Sequence, residues 1–180
     1  MSNNKESLSG YIFTFIIALV LGLLIRRFVF SANIINGVSM EPTFTENDRV
    51  IALIFPLYYK DPEYADVVII NSPIEEGKEY IKRIVGKPGD KIEVMDGNVI
   101  RNGEILEENY IDKDVKTGIY FEDSWQLGED EFFVLGDNRH PNKSSDSRAF
   151  GPIKKDSIDG IVKLRFWPFS KFGTVGGINE

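Results

Sequence analysis

Apolar and polar positions divide the chain into two unlike parts. From residue 11 to residue 25 every side chain is apolar, glycine or threonine (YIFTFIIALVLGLLI), and after Arg26 and Arg27 the apolar run resumes through Phe28, Val29 and Phe30. No polar stripe interrupts the run before Arg26, which argues against a core helix with one wet face. As a helix, residues 11–30 reach about 30 Å, the thickness of a bilayer's hydrocarbon core. The pattern predicts one membrane-spanning helix whose two arginines snorkel towards headgroups. A cleaved leader needs a positive amino-terminal region and small residues at its cut site. Here Lys5 is cancelled by Glu6, and the small pair Ser31-Ala32 follows the bulky Phe30. The reading is therefore a retained anchor at 11–30 behind a short tail at 1–10.

Beyond residue 31 the pattern changes to short apolar or alternating runs at 32–35, 50–54, 67–70, 80–85, 92–95, 98–101, 131–135 and 158–166. Runs of this length and period read as strands. Asp96-Gly97 and Asn102-Gly103 have the composition of type I′ turns, in which both central residues need positive φ. Lys87-Pro88-Gly89-Asp90 reads as another turn. No longer stretch keeps a helical period, so the expected fold class is mainly β: an antiparallel sheet domain over 31–180 following one N-terminal transmembrane helix. The charged, aperiodic stretch 107–129 reads as a loop or a peripheral hairpin.

Composition then narrows the chemistry. The 180 residues carry 21 basic and 28 acidic side chains, one histidine (His140) and no cysteine. Residues 31–180 alone hold 18 basic against 27 acidic side chains, a net charge of −9. Such a balance argues against a nucleic-acid partner held through phosphate contacts. Disulfides, cysteine nucleophiles and zinc sites built on cysteine or several histidines are excluded. A serine hydrolase would need His140 as its base, or a different base altogether.

Three segments carry candidate chemistry. In Asn36-Gly37-Val38-Ser39-Met40-Glu41-Pro42-Thr43, Gly37 and Pro42 stiffen a turn that presents Ser39, whose own N–H is a potential oxyanion donor. The plainer reading is a turn with a solvated hydroxyl. In Tyr80-Ile81-Lys82-Arg83-Ile84-Val85, strand alternation puts Tyr80, Lys82 and Ile84 on one face and Ile81, Arg83 and Val85 on the other. A lysine on a buried face loses protons more readily and becomes a competent base, whereas at a strand edge it simply snorkels to water. The third segment, residues 136–151, is dense in Asp, Asn and Ser. It either ties its own backbone together or orients a catalytic group.

In order, the anchor, the Gly37-Val38-Ser39-Met40 turn, the Lys82-Arg83-Ile84-Val85-Gly86 strand with its Pro88-Gly89-Asp90 turn, and the Gly136-Asp137-Asn138-Arg139 and Ser144-Ser145-Asp146-Ser147-Arg148 loop resemble the type I signal peptidases, most closely the short single-anchor form of Gram-positive bacteria. The likeness runs from residue 11 to residue 169 and includes Arg165-Phe166-Trp167-Pro168-Phe169. It implies a membrane-bound Ser/Lys endopeptidase that removes signal peptides from exported preproteins on the outer side of the cytoplasmic membrane. Its partners would be preprotein signal peptides and the lipid bilayer, with no cofactor, metal or nucleic acid, and it would act as a monomer. Carried over position by position, Ser39 is the nucleophile and Lys82 the general base. Ser144 orients the lysine, although the loop from His140 to Lys143 is longer than is common in the family, so Ser145 is an alternative. Asp146 and Arg148 form a pair that holds the loop. Gly37 stands where some members have an oxyanion hydroxyl. Ile35, Met40, Tyr80 and Ile81 line shallow pockets for small side chains. His140 reads as a surface residue.

Two features pull elsewhere. Arg26 and Arg27 would, by the positive-inside rule, put the domain in the cytoplasm, against the resemblance. The aromatics at 166–169 either touch the membrane or cap the core. Two other classes remain open: a non-enzymatic anchored β domain, and a self-cleaving Ser/Lys repressor, though this chain shows no DNA-binding domain.

Overall fold

The computed structural model describes residues 8–175. Residues 1–7, most of the expected tail, lie outside them. Helix α1 (Leu8–Phe28) buries none of its side chains, and its most apolar window has a mean hydropathy of 2.5. It begins earlier than residue 11, because Leu8, Ser9 and Gly10 simply continue the helix. It also ends before residue 30, because strand pairing takes over: the Val29 carbonyl accepts the N–H groups of Ile54 and Phe55, and Phe30 is already the first residue of a strand.

The strands follow as β1 (Phe30–Ile34), β2 (Arg49–Leu53), β3 (Val67–Asn71), β4 (Glu79–Gly86), β5 (Lys91–Met95), β6 (Asn98–Arg101), β7 (Glu104–Ile105), β8 (Ser124–Gln126) and β9 (Glu131–Leu135). After the single turn of helix α2 (Ser147–Phe150) come β10 (Ile153–Lys154), β11 (Ile158–Trp167) and β12 (Gly173–Thr174). Every run read as a strand forms one. The additional strands β7, β8, β10 and β12 have two or three residues each, too few to display a period.

All pairings are antiparallel, as expected for the fold class. The larger sheet runs β1-β2-β11-β3-β4-β9-β10 with β12 added to β11, and the smaller runs β7-β6-β5-β8. Its hairpins turn at Asp96-Gly97 (φ 54° and 86°) and Asn102-Gly103 (φ 54° and 85°), the positive values a type I′ turn requires. Strand β3 is buried on both faces. Val67 and Ile69 join Ile35, Met40, Phe44 and Val162 in one core cluster, while Val68 and Ile70 join Ile84, Phe132 and Ile161 in another. A third cluster, with Ile92 and Val94 against Phe133 and Leu135, fastens the small sheet to β9, and the rings of Trp125 and Phe133 lie 4.6 Å apart there. Of residues 107–129, only β8 is regular. Its Trp125 is buried.

Candidate active site

Strand β1 runs out into the loop that carries Ser39. Gly37 takes φ of 95°, a region L side chains avoid, and so lets the chain reverse. Met40 drops into the core at 1% exposure and forms the floor under a half-buried Ser39. The loop is held from across the molecule. Asn138 N–H donates to the Ser39 carbonyl at 3.0 Å, Asn138 Nδ2 donates to the Val38 carbonyl at 3.0 Å, and Thr43 Oγ1 donates to Asp137 Oδ2 at 2.5 Å. With its carbonyl taken, the Ser39 N–H is left without a hydrogen-bond partner among the described residues.

Strand β4 delivers Lys82 opposite Val68 of β3. As alternation requires, it shares a face with Tyr80, and its Nζ lies 5.1 Å from that ring's centroid. The same Nζ lies 3.0 Å from Ser39 Oγ and donates to the Ile81 carbonyl at 2.9 Å. Lys82 is only 2% exposed. Burial lowers its pKa to about 8, against the pull of the Asp146 and Asp137 carboxylates and with a smaller push from Arg148. At pH 7 roughly a tenth of the lysine is therefore neutral, against well under a thousandth of an exposed lysine.

The loop after β9 closes the site from the third side. Gly136 is the point of closest approach: a Cβ there would stand 2.2 Å from Ser144 Oγ and 2.5 Å from the Ser39 carbonyl oxygen, so no larger residue fits. Ser144, buried, donates to Asp146 Oδ2 at 2.7 Å. Asp146 in turn accepts from Gly136 N at 3.1 Å and from Arg148 Nε and Nη2, both at 2.8 Å. Burial alone would raise the Asp146 pKa; the bonds and charge of Arg148, with those of Gly136 and Ser144, outweigh it and hold the carboxylate low. It stays ionised and fixes the loop.

A model of the signal peptidase, peptidase S26 family matches residues 8–167. The chain belongs to that family. The peptidase is 38% identical over 166 residues to a probable signal peptidase I-2 from Synechocystis sp., an alignment covering 89% of this chain and 73% of that protein. It is 33% identical over 183 residues to signal peptidase IB from Staphylococcus aureus, covering 93% and 94% respectively. A crystal structure of a signal peptidase I from Enterococcus faecalis aligns at 32% identity and a TM-score of 0.47, over 57% of this chain and 97% of that one.

In this signal peptidase a cleft of about 610 Å³ runs beside the serine, lined by Ile35, Ser39, Ile69, Tyr80, Ile81 and Lys82 among others. Three of the four expected pocket residues face it; Met40 lies beneath, in the core. Ser39, Lys82, Gly37, Ser144, Asp146 and Arg148 come together from three separate segments. Ser145 is only half-buried, whereas Ser144 is the serine packed against Gly136. His140 is exposed, 3.9 Å from Asp112.

Several residues of the peptidase's site carry roles that sequence reasoning did not assign. Arg83 pairs with Asp137 through Nε to Oδ1 at 2.8 Å and Nη2 to Oδ2 at 2.5 Å, both buried, and donates to the Ala65 carbonyl. Asn138 clamps the serine loop as described. Arg139, fully buried, binds the Gly136 carbonyl at 2.7 Å, Thr117 Oγ1 at 2.7 Å and the Glu108 carboxylate, and Arg148 Nη1 reaches the Gly118 carbonyl. These bonds tie the stretch 107–129 to the site. Arginines set within or just beyond apolar strands were a readable sign that buried carboxylates must accompany them. The partners' separation of 54 residues for Arg83 and Asp137 left no local cue to which carboxylate it was.

Proposed function

We propose that this signal peptidase cleaves signal peptides from preproteins with Ser39 as nucleophile and Lys82 as general base, through an acyl-enzyme. The observation that carries the reading is the 3.0 Å contact between Lys82 Nζ and Ser39 Oγ, made by a lysine whose burial favours the neutral form. In that form the serine hydroxyl donates into the nitrogen's lone pair. Lys82 takes the proton as Oγ attacks the scissile carbonyl, and it returns the proton to the leaving amine. A water deprotonated by the same lysine then releases the acyl group from Ser39. The free Ser39 N–H supplies a donor for the oxyanion, which matters more here because Gly37 has no hydroxyl to offer. Asp146 and Arg148 hold Ser144 and Gly136 against the dyad. Ile35, Tyr80 and Ile81 give the cleft an apolar wall suited to small side chains before the cut bond.

In this reading α1 spans the bilayer once, the domain lies on the extracytoplasmic side, and the protein acts as a monomer. The test of the chemistry is cleavage of a purified preprotein in detergent: Ser39→Ala and Lys82→Met should each abolish processing while the β signature of the circular dichroism spectrum stays. Processing at the wild-type rate by either variant would overturn the dyad. For topology, a cysteine placed at Asn102, in an exposed turn, should react with an impermeant label on intact cells; labelling only after lysis would reverse the orientation.

A further inference from the structure

A cleft of about 880 Å³ opens where α1 meets the domain; neither Ser39 nor Lys82 lines it, although Glu79 stands between it and the cleft beside the dyad. One wall is the end of the helix, Leu23, Arg26 and Arg27; the other includes Tyr58, Asp156 and Asp159. The side chains of Arg26 and Arg27 form no hydrogen bond or ion pair with any described residue. Lys155, also at the rim, is occupied by Asp61 at 2.6 Å. Asp159 lies within reach of the Arg27 charge: burial raises its pKa, while an Asn71 hydrogen bond and that charge draw it back. Asp156 and Glu79 add carboxylates on the domain side, so the cleft is bipolar, with two unpaired guanidinium groups towards the helix and carboxylates towards the sheet.

Depth fixes what such a cleft would meet. Helix α1 has 21 residues, about 31 Å of helix, so its last turn comes to the headgroup layer of a bilayer. The turn Phe55–Tyr58 sits at the same level, since Ile54 and Phe55 both bond Val29 at the helix exit. Its exposed rings, Phe55, Tyr58 and the adjoining Tyr59, have the character of an interfacial belt. Guanidinium groups match phosphate oxygens in geometry and charge, and a primary ammonium offers hydrogen bonds to carboxylates that a quaternary one lacks.

We propose that this cleft holds one phospholipid headgroup bearing a primary ammonium, with its phosphate on Arg26 and Arg27 and its ammonium on Asp156 and Asp159. The proposal rests on the reading that α1 spans the bilayer. It gives the two arginines a role on the outer side, where the positive-inside rule provides none.

The test uses the full chain in detergent, incubated with equal amounts of phosphatidylethanolamine, phosphatidylcholine and phosphatidylglycerol of identical acyl chains, with retained lipid read by native mass spectrometry. One phosphatidylethanolamine should be retained in preference to the others. The double variant Arg26→Gln with Arg27→Gln should lower that retention at least about tenfold. Asp156→Asn with Asp159→Asn should abolish the preference over phosphatidylcholine while leaving the phosphate held. Both variants should cleave a soluble peptide at the wild-type rate, which shows that they fold. Equal retention of the three lipids by the wild type, or undiminished retention by the arginine variant, overturns the proposal. Alkaline extraction of membranes separates the two readings: release of the chain removes the anchor and this cleft together, whereas an integrated chain without selective retention removes the cleft alone.

Discussion

Three of the small sheet's four strands follow one another in the chain, while the large sheet joins hairpins of consecutive strands through three long-range pairings, β2 with β11, β11 with β3 and β4 with β9. Strands β5, β6 and β7 succeed one another through two-residue turns whose positive φ values are written into Asp-Gly and Asn-Gly. In the large sheet β11 inserts between β2 and β3, and β9 pairs with β4 after the whole small sheet has been completed. Ser39, Lys82 and Gly136 meet only through this second kind of pairing. The contrast assigns different sensitivities: damage in the small sheet should cost stability, and damage at the convergence of β1, β4 and β9 should cost rate.

The largest effect should come at the dyad. Ser39→Ala and Lys82→Met should each slow preprotein cleavage roughly 10⁴-fold or more, and the double variant should be little worse than either, because groups acting as a unit are not additive. A double variant slower by the product of the two effects would separate the residues' roles. Next is Gly136→Ala, whose new Cβ would stand 2.5 Å from the Ser39 carbonyl and 2.2 Å from Ser144 Oγ. Displacing the serine loop to make room should cost roughly 10²-fold in kcat/KM, with the thermal midpoint showing that the sheet survives. A smaller, graded effect is expected from pH. In the proposed mechanism only neutral Lys82 acts as the base, and its pKa is lowered from 10.5 to about 8. The rate should therefore rise with pH, about tenfold per unit below that value, and level off above it; a rate flat from pH 6 to 9 would contradict the buried base. The smallest effect belongs to the other sheet. At Gly103, with φ of 85° and open space around it, alanine should cost about 1 kcal/mol of stability in a denaturant titration and leave the cleavage rate unchanged.

What was legible in the sequence follows the same division. The longer strands showed their periods, and both Asx-Gly turns announced their type, because local φ preferences and alternation suffice for them. The apolar run located α1 but not its end, since Phe30 is apolar whether it continues a helix or begins β1. Within the site, Ser39 and Lys82 stood out as separate motifs. Their contact spans 43 residues and depends on the register that sets Lys82 opposite Val68. The clamp from Asn138 to Val38 spans 100 residues and connects two loops. Neither loop alone has a pattern that points to the other. The stretch 107–129 was the least legible: its anchors are Arg139 and Arg148, which lie outside it, and its own charges and lack of period suggested only a loop or a peripheral hairpin.

One residue, Val29, separates the helix from the first strand, and its carbonyl accepts the N–H groups of Ile54 and Phe55, just past the end of β2. The joint therefore has no slack. If α1 spans the bilayer as proposed, a rod fixed to a plate in this way behaves as a lever: when a thinner bilayer makes α1 lean, β1 leans with it, and the far end of a strand about 16 Å long swings by an amount that a flexible tether would have absorbed. Ser39 sits just past that end. In the proposed reading, the height and attitude of Ser39 over the membrane are thereby set by the length of the anchor, and inserting a few glycines at Val29 would let the blade swing free of the hilt.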